Sequence, residues 1–169
     1  MQSTQLGFNP VKMVPGRWEL ALAPSLNYYV AGFTGPKSDD AERGRPDGWN
    51  EIVISGSNNN EQVKFVLSSS PGKIRGTVTN GRDPVAGAPV FLEAYDPAQQ
   101  RRLTEVAIGR TDTRGQFQFA GLAPGKYRIL SSFEFQSPEQ SQMDAANARV
   151  LSVEEGADLT SDLDLFVIR

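Results

Sequence analysis

Most of this chain consists of short stretches in which apolar and polar residues alternate, with turn-forming residues between them. Phe117 and Phe119 lie two residues apart, so their rings share one face of a strand. The same spacing points Val90, Leu92 and Ala94 toward one side of another strand. A period of two that recurs along the chain predicts an all-β protein whose strands each bury one face.

The pattern predicts ten strands and one helix. The predicted strands are 18–22, 27–33, 51–55, 61–67, 73–78, 89–95, 117–119, 125–135, 149–153 and 162–168. Gly76 inside one of them indicates a bulge or a close approach of another backbone. The segment 136–148 has no β pattern, and Ser137-Pro138-Glu139 predicts a helix start.

Two turns frame the strand of Phe117. Asp112 and Gly115 occupy the first and last positions of a predicted type I turn, where Asp accepts backbone N–H groups. Leu122-Ala123-Pro124-Gly125 is predicted to form a type II turn with a positive φ at Gly125. Tyr127 then returns to the apolar face, so the stretch is predicted to be a hairpin in a sandwich.

Composition narrows the classes of function. With 16 Gly and 11 Pro, the chain suits a turn-rich β protein, and a net charge of −3 argues against nucleic-acid binding. The chain has no His and no Cys, which excludes imidazole catalysis, disulfides and thiolate metal sites. No apolar run reaches the roughly 18 residues of a membrane span. We therefore expect no enzyme activity, no cofactor and no metal.

Part of the pattern occurs twice. Pro15-Gly16-Arg17-Trp18 matches Pro124-Gly125-Lys126-Tyr127 at an offset of 109 residues (124 − 15), and Val63–Leu67 matches Leu163–Val167 at an offset of 100 (163 − 63). Such a repeat indicates tandem modules. Nothing before Phe8 matches the start of the second copy. We predict that residues 1–71 are the C-terminal half of a first sandwich and that 72–169 form a complete second one, with the opening MQSTQLGFNP lying inside a longer protein.

The second copy resembles a known family. Gly76-Thr77-Val78, then the segment 83–90 (DPVAGAPV), then the segment 111–127 (TDTRGQFQFAGLAPGKY) follow the ordered pattern of the carboxypeptidase regulatory-like domain, a transthyretin-like (prealbumin-like) β-sandwich. This resemblance covers nearly all of 72–168. It implies tandem Greek-key, Ig-like sandwich modules that serve as accessory domains and carry out no reaction.

The resemblance also implies a setting. Such a module would be a spacer or docking domain of a larger envelope or secreted bacterial protein, located outside the cell, in the periplasm or on the cell surface. Its partners would be neighbouring domains of the parent chain or another envelope protein. A polysaccharide is an additional candidate partner.

The carboxylates are the candidate catalytic or metal-binding groups of this chain. Most fall in predicted turns or on outward strand positions, where solvation or turn capping explains them; these are Asp112, Asp144, Glu154, Glu155, Asp162 and Asp164. Asp39, Asp40 and Asp47 share one loop and offer oxygens to calcium, although the ligand spacing of a known calcium loop is missing.

An internal isopeptide bond is a further alternative, because collagen-adhesin B-type domains are similar in shape. Those domains join a first-strand Lys to a last-strand Asn with the help of a Glu. Here Lys73 matches the Lys, but Asp162 and Asp164 replace the Asn and Ser131 stands where the Glu is expected. We therefore expect no cross-link.

The aromatic residues supply the remaining alternative. Tyr127 follows a Pro-Gly corner and resembles the tyrosine corner of Ig-like sandwiches, so both it and the matching Trp18 are predicted to be core. Trp49 instead lies in a polar loop, either as a packing lid or as a sugar-stacking platform assisted by Tyr28 and Tyr29. Carbohydrate binding by these three residues is the alternative function.

Overall fold

The computed structural model describes residues 14–20, 22, 24–35, 51–54, 63–98, 101–102 and 105–168. Within this part of the chain lie fourteen strands and one short helix, so the predicted all-β sandwich fold is confirmed. The described residues fall into two compact units: those within Met1–Ala23 and Gly32–Val66, and those within Pro24–Ala31 and Leu67–Arg169. The proposed module boundary at 71/72 stays a prediction.

Four strands lie before residue 70. They are β1 (Gly16–Glu19), β2 (Tyr29–Thr34), β3 (Glu51–Ile54) and β4 (Lys64–Ser68). Strands β1 and β3 pair antiparallel with Trp18 opposite Ile52, and β2 pairs with β4. Ile52 is 1% exposed, but Trp18 is 37% exposed. The prediction that Trp18 is a core residue is therefore wrong, because the described strand pair covers only part of the indole.

The remaining elements build one sandwich. In chain order they are β5 (Gly72–Asn80), β6 (Asp83–Pro84), β7 (Pro89–Asp96), β8 (Arg101–Arg102), β9 (Ala107–Arg110), β10 (Gln116–Leu122), β11 (Gly125–Ser131), α1 (Gln140–Ala145), β12 (Arg149–Val153), β13 (Asp158–Thr160) and β14 (Leu163–Asp164).

The two sheets of the sandwich are organised around β5 and β7. In the first sheet β5 pairs antiparallel with β6 and β10 and parallel with β13 and β14. In the second sheet the order is β12-β11-β7, and β8 and β9 both pair with β7. The parallel pairs were not predicted, since β13 and β14 are only three and two residues long and too short to show a period.

The main core lies between these sheets, and the predicted inward faces supply it. Ile74 and Val78 of β5 face Val90 and Leu92 of β7, and all four are at most 2% exposed. The other buried members of this cluster are Ala88, Phe117, Tyr127, Ile129, Val153 and Leu163. Phe119 is half-buried against the cluster, with its ring 6.2 Å from that of Phe117.

A second apolar cluster covers the outer face of the second sheet. Phe91 and Leu130 point to that face, and Met143 of α1 lies against them with no exposed surface. As a result β7 is buried on both faces over its first five residues. The helix that provides this cover begins at Gln140, three residues beyond the predicted Ser137 start. A capping box between Glu139 and Gln142 sets its first turn.

The turns around β10 support one prediction and overturn another. The Gly115 N–H donates to the Asp112 carbonyl (3.0 Å) and Gly115 has φ of 75°, which confirms the predicted turn. After β10, the positive φ falls at Gly121 (76°) rather than at Gly125. The predicted type II turn at Gly125 is therefore wrong, because the chain makes its irregular step one turn earlier, as a bulge between Ala120 and Leu122.

Gly76 lies where another backbone segment approaches β5 closely, which is one of the two explanations that its place inside a strand predicted. A side chain there would put its Cβ 2.1 Å from the Ser161 carbonyl oxygen. Ser161 also donates its N–H to the Arg75 carbonyl (2.8 Å). Gly76 thus lets the segment between β13 and β14 pass directly over β5.

Candidate functional site

The predicted sugar platform is described only in part. Trp49 lies outside the described residues, as do Asp39, Asp40 and Asp47. Tyr28 is 43% exposed, whereas Tyr29 is 8% exposed and its hydroxyl donates to Glu155 Oε1 (3.2 Å). Tyr29 is thus engaged in packing and hydrogen bonding. Sugar stacking on these aromatics stays a prediction that concerns Trp49 and Tyr28.

Asp112 is a turn residue. Its Oδ1 accepts the backbone N–H groups of Arg114 and Gln116, each at 2.8 Å. The hydrogen bond from Gln116 is the main cause that lowers the pKa of the Asp112 carboxyl. The carboxylate therefore stabilises the turn before β10, as its sequence position predicted.

The acids of the last strand also bind nearby groups. Asp162 Oδ1 accepts the Thr77 N–H (2.8 Å), and the Thr79 hydroxyl donates to Asp164 Oδ1 (3.4 Å). Lys73 is exposed on β5. Both carboxylates thus tie the end of the chain to β5, and the expectation that Lys73 forms no isopeptide bond stays a prediction.

A buried ionic cluster lies on the outer face of the second sheet. Arg128 of β11 donates through Nε to Glu93 Oε1 of β7 (2.7 Å), and its Nη2 also binds that oxygen. Its Nη1 binds Asp144 of α1. The guanidinium carbon lies 4.0 Å from the centre of the Tyr95 ring. Arg128 therefore joins two strands, the helix and an aromatic face.

Burial makes this cluster electrostatically sensitive. The side chains of Glu93 and Arg128 are 0% and 4% exposed, while that of Asp144 is 51% exposed. A buried ion pair recovers its desolvation cost only with good geometry and hydrogen bonds, and loss of one partner leaves an uncompensated charge. The arrangement therefore fixes the position of α1 over the sheet, and its groups are oriented toward each other.

The sequence did not predict this cluster. Asp144, predicted to be a solvated or turn-capping acid, is half exposed and is in addition paired with Arg128. Glu93 and Arg128 alternate with inward-facing residues, so the strand period places both on the outer faces of their strands. One signal was present: Pro89–Leu92 is an uninterrupted apolar run, which is typical of a strand covered on both faces. A polar residue within such a strand has to be paired.

A groove of about 1000 Å³ runs between the end of α1 and the final residues of the described chain. Phe135 and Phe166 stack in its wall with ring centres 6.2 Å apart. Its charged lining residues are Asp164 and Arg149, and Arg149 donates to the Asp162 carbonyl (2.6 Å). The groove is a mixed apolar and polar surface whose arginine holds the backbone of the last strand.

The corner before β11 has a counterpart before residue 20. The Tyr127 hydroxyl donates to the Ala123 carbonyl (2.8 Å), and burial raises the pKa of Tyr127 to about 12. The Trp18 indole N–H donates to the Val14 carbonyl (3.0 Å). Both bonds reach back four residues. The two donors are separated by the repeat offset of 109 residues (127 − 18), and so are the two acceptors (123 − 14). The predicted tyrosine corner is confirmed.

No family model and no curated protein matches this chain. Among solved structures, the TIE protein of Bacillus anthracis shares 12% identity over 68% of this chain and 20% of its own, with a TM-score of 0.39. The major pilin SpaD of Corynebacterium diphtheriae shares 12% over 55% and 31%, at 0.41. The major pilin BcpA of Bacillus cereus shares 13% over 68% and 41%, at 0.39.

The chain thus spans between a fifth and about two fifths of the length of these three proteins. At such identities a structural likeness concerns the fold alone. Among the described residues, none of the helical structure is long and apolar enough to cross a bilayer.

Proposed function

We propose that the chain is a non-catalytic structural module, a spacer or docking domain, of a larger envelope or secreted bacterial protein. It comprises part of a first sandwich, residues 1–71, and a complete second sandwich of carboxypeptidase regulatory-like type, residues 72–169. In this role the chain sets the distance and orientation of neighbouring domains. Its partners are those domains or another envelope protein at the cell surface.

The repeated corner is the observation that carries the proposal. Trp18 and Tyr127 bind the carbonyls of Val14 and Ala123 in the same way, four residues back. Each corner also opens a strand with an antiparallel neighbour, since Trp18 lies opposite Ile52 and Tyr127 opposite Leu151. The same local unit thus occurs twice in the chain, as expected of tandem modules.

The use of charge in the second unit supports the same role. Arg128 and Glu93 are buried against each other, and Asp144 joins them from α1. Asp162 binds the backbone of β5, and Asp112 binds the turn before β10. These groups hold strands, turns and the helix together, as expected of a module that keeps its neighbouring domains at a fixed spacing.

The proposal is tested by replacement in the parent protein. Residues 1–169 are exchanged for an unrelated tandem β-sandwich of equal length, and surface display and activity of the flanking domains are measured. A spacer is replaceable, so both should persist. If either is lost with the unrelated sandwich as well as with a flexible linker of equal length, the spacer role is wrong and only docking to a specific partner remains.

A further inference from the structure

One carboxylate in the second unit receives two hydroxyl groups from distant parts of the chain. Glu155 lies in the turn between β12 and β13, where the Ala157 N–H donates to the Glu154 carbonyl (3.1 Å). Its Oε1 accepts the Tyr29 hydroxyl at 3.2 Å and the Ser68 hydroxyl at 3.0 Å. The donors lie 126 and 87 residues away in sequence, so the contact is purely tertiary.

The positions of the two donors give this contact its meaning. Pro24–Ala31 and Leu67–Arg169 belong to the same compact unit, and the rest of the described chain belongs to the other. Tyr29 therefore lies just before the chain leaves this unit after Ala31, and Ser68 lies just after the chain returns at Leu67. Glu155 holds both connections.

Backbone contacts show that the second connection is seated closely on the same turn. The Gly156 N–H donates to the Ser70 carbonyl (2.9 Å), and the Lys73 N–H donates to the Ala157 carbonyl (2.7 Å). A side chain at Gly72 would put its Cβ 2.3 Å from Val153 Cγ1. The path from Ser68 into β5 is thus held along its length, with glycine required at its tightest point.

The first connection begins with a turn, since the Tyr28 N–H donates to the Ser25 carbonyl (2.9 Å). The Leu26 Cα lies 3.6 Å from where a Gly121 Cβ would be, at the bulge that ends β10. Tyr29 is buried, but Leu26 and Tyr28 are 69% and 43% exposed. The bond from the Tyr29 hydroxyl to Glu155 is a polar anchor of Pro24–Ala31 on the sandwich.

We propose that Glu155 is a clamp. It docks Pro24–Ala31 and the Ser68–Gly72 connection on the turn between β12 and β13, and so controls how readily these two segments detach from the sandwich. The importance of the clamp rests on the proposed spacer function, whereas the contacts that define the clamp do not. The clamp predicts that the two connections loosen together when one side chain is removed.

The test compares single substitutions in the full chain by hydrogen exchange and mass spectrometry. Glu155→Ala removes the acceptor, Glu155→Gln keeps an uncharged acceptor, and Glu154→Ala is the matched control because that exposed side chain lies next door in the same turn. A hydrogen bond to a charged group contributes enough that its loss should raise exchange about tenfold. The rise is expected in peptides covering both 24–31 and 68–72 of Glu155→Ala, with a smaller rise in Glu155→Gln.

Exchange in β7 and β11 reports whether the sandwich remains folded. If Glu155→Ala unfolds the sandwich, Glu155→Gln alone decides the question by the same two peptides. The clamp is wrong if hydrogen exchange in both peptides of Glu155→Ala equals that of Glu154→Ala. It is also wrong if exchange rises in only one of the two peptides. Ser68→Ala distinguishes the two connections, since it should raise hydrogen exchange more in 68–72 than in 24–31. A failed clamp leaves the replacement experiment on spacer function unaffected, and a failed replacement leaves these rates unaffected.

Discussion

Replacing Arg128 by methionine should test the buried ionic cluster most directly. The substitution keeps most of the side-chain volume but removes the charge that faces Glu93, whose side chain is 0% exposed. Breaking a buried ion pair from one side costs roughly 3–5 kcal/mol, because the remaining charge has lost its compensation. The contact with the Tyr95 ring at 4.0 Å is lost as well. We expect a fall in the free energy of unfolding of about 4 kcal/mol.

The same cluster allows sharper comparisons. In Glu93→Leu/Arg128→Met both charges are gone, and stability should return to within about 1 kcal/mol of the wild type or exceed it. Asp144→Asn should cost at most about 1 kcal/mol, since that side chain is 51% exposed and its ion pair is screened. Arg114→Met is the matched control, because Arg114 is 76% exposed beside Asp112 and should change stability by less than about 0.5 kcal/mol.

Urea unfolding followed by circular dichroism measures these differences, with the slope of the transition checked for constancy. The decisive quantity is the non-additivity of Glu93→Leu and Arg128→Met in a double-mutant cycle. If Arg128→Met lies within 1 kcal/mol of the wild type, the argument from a buried charge that has lost its ionic partner is wrong.

Three further predictions concern single sites. Tyr127→Ala should lower the free energy of unfolding by roughly 3–5 kcal/mol and Tyr127→Phe by about 1 kcal/mol. Because burial raises the pKa of Tyr127 to about 12, the stability that the phenol contributes is complete below about pH 10 and is lost as the pH rises toward 12. Tyr127→Phe should therefore abolish this pH dependence in unfolding curves recorded at alkaline pH. Gly76→Ala should lower the free energy of unfolding by at least about 1–3 kcal/mol, because its Cβ would meet the Ser161 carbonyl. The control Gly81→Ala, with φ of 68° and open space around it, should lower it by about 1 kcal/mol. Equal losses of stability in urea would contradict the close approach at Gly76. If the indole is a packing lid, Trp49→Ala should lower the free energy of unfolding by on the order of 3 kcal/mol, and we expect glucan, xylan and pectin not to retain the wild-type protein. Retention that disappears in Trp49→Ala and Tyr28→Ala without a change in melting temperature would establish the carbohydrate alternative.

The parts of this fold that the sequence predicted are those fixed by neighbouring residues. The alternation of Phe117 with Phe119 and of Val90 with Leu92 assigned the core face correctly, because the strand period leaves no other choice. The Asp112 turn and the Tyr127 corner close over three and four residues, so local spacing sufficed. Gly76 was recognised as a contact site, although its partner was not.

The parts that escaped prediction depend on distant partners. Glu93 and Arg128 are 35 residues apart, and Asp144 lies a further 16 along. The apolar run before Glu93 indicates cover on both faces of its strand, but nothing local identifies α1 as that cover or Arg128 and Asp144 as the ionic partners. The contact between Tyr29 and Glu155 spans 126 residues and was equally invisible. In both cases the chemistry of the pair is simple, but the pairing is set by topology.

The two corners separate local from tertiary determinants within one molecule. Trp18 and Tyr127 make the same bond to the carbonyl four residues back, yet Trp18 is 37% exposed and Tyr127 only 8%. Tyr127 lies between β7 and β12 and beneath the opposite sheet, whereas the described partner of β1 is β3 alone. The corner bond therefore forms whether the aromatic ring is buried or more than a third exposed. It follows that Tyr127→Phe should perturb the local turn, while only truncation to alanine should open the core.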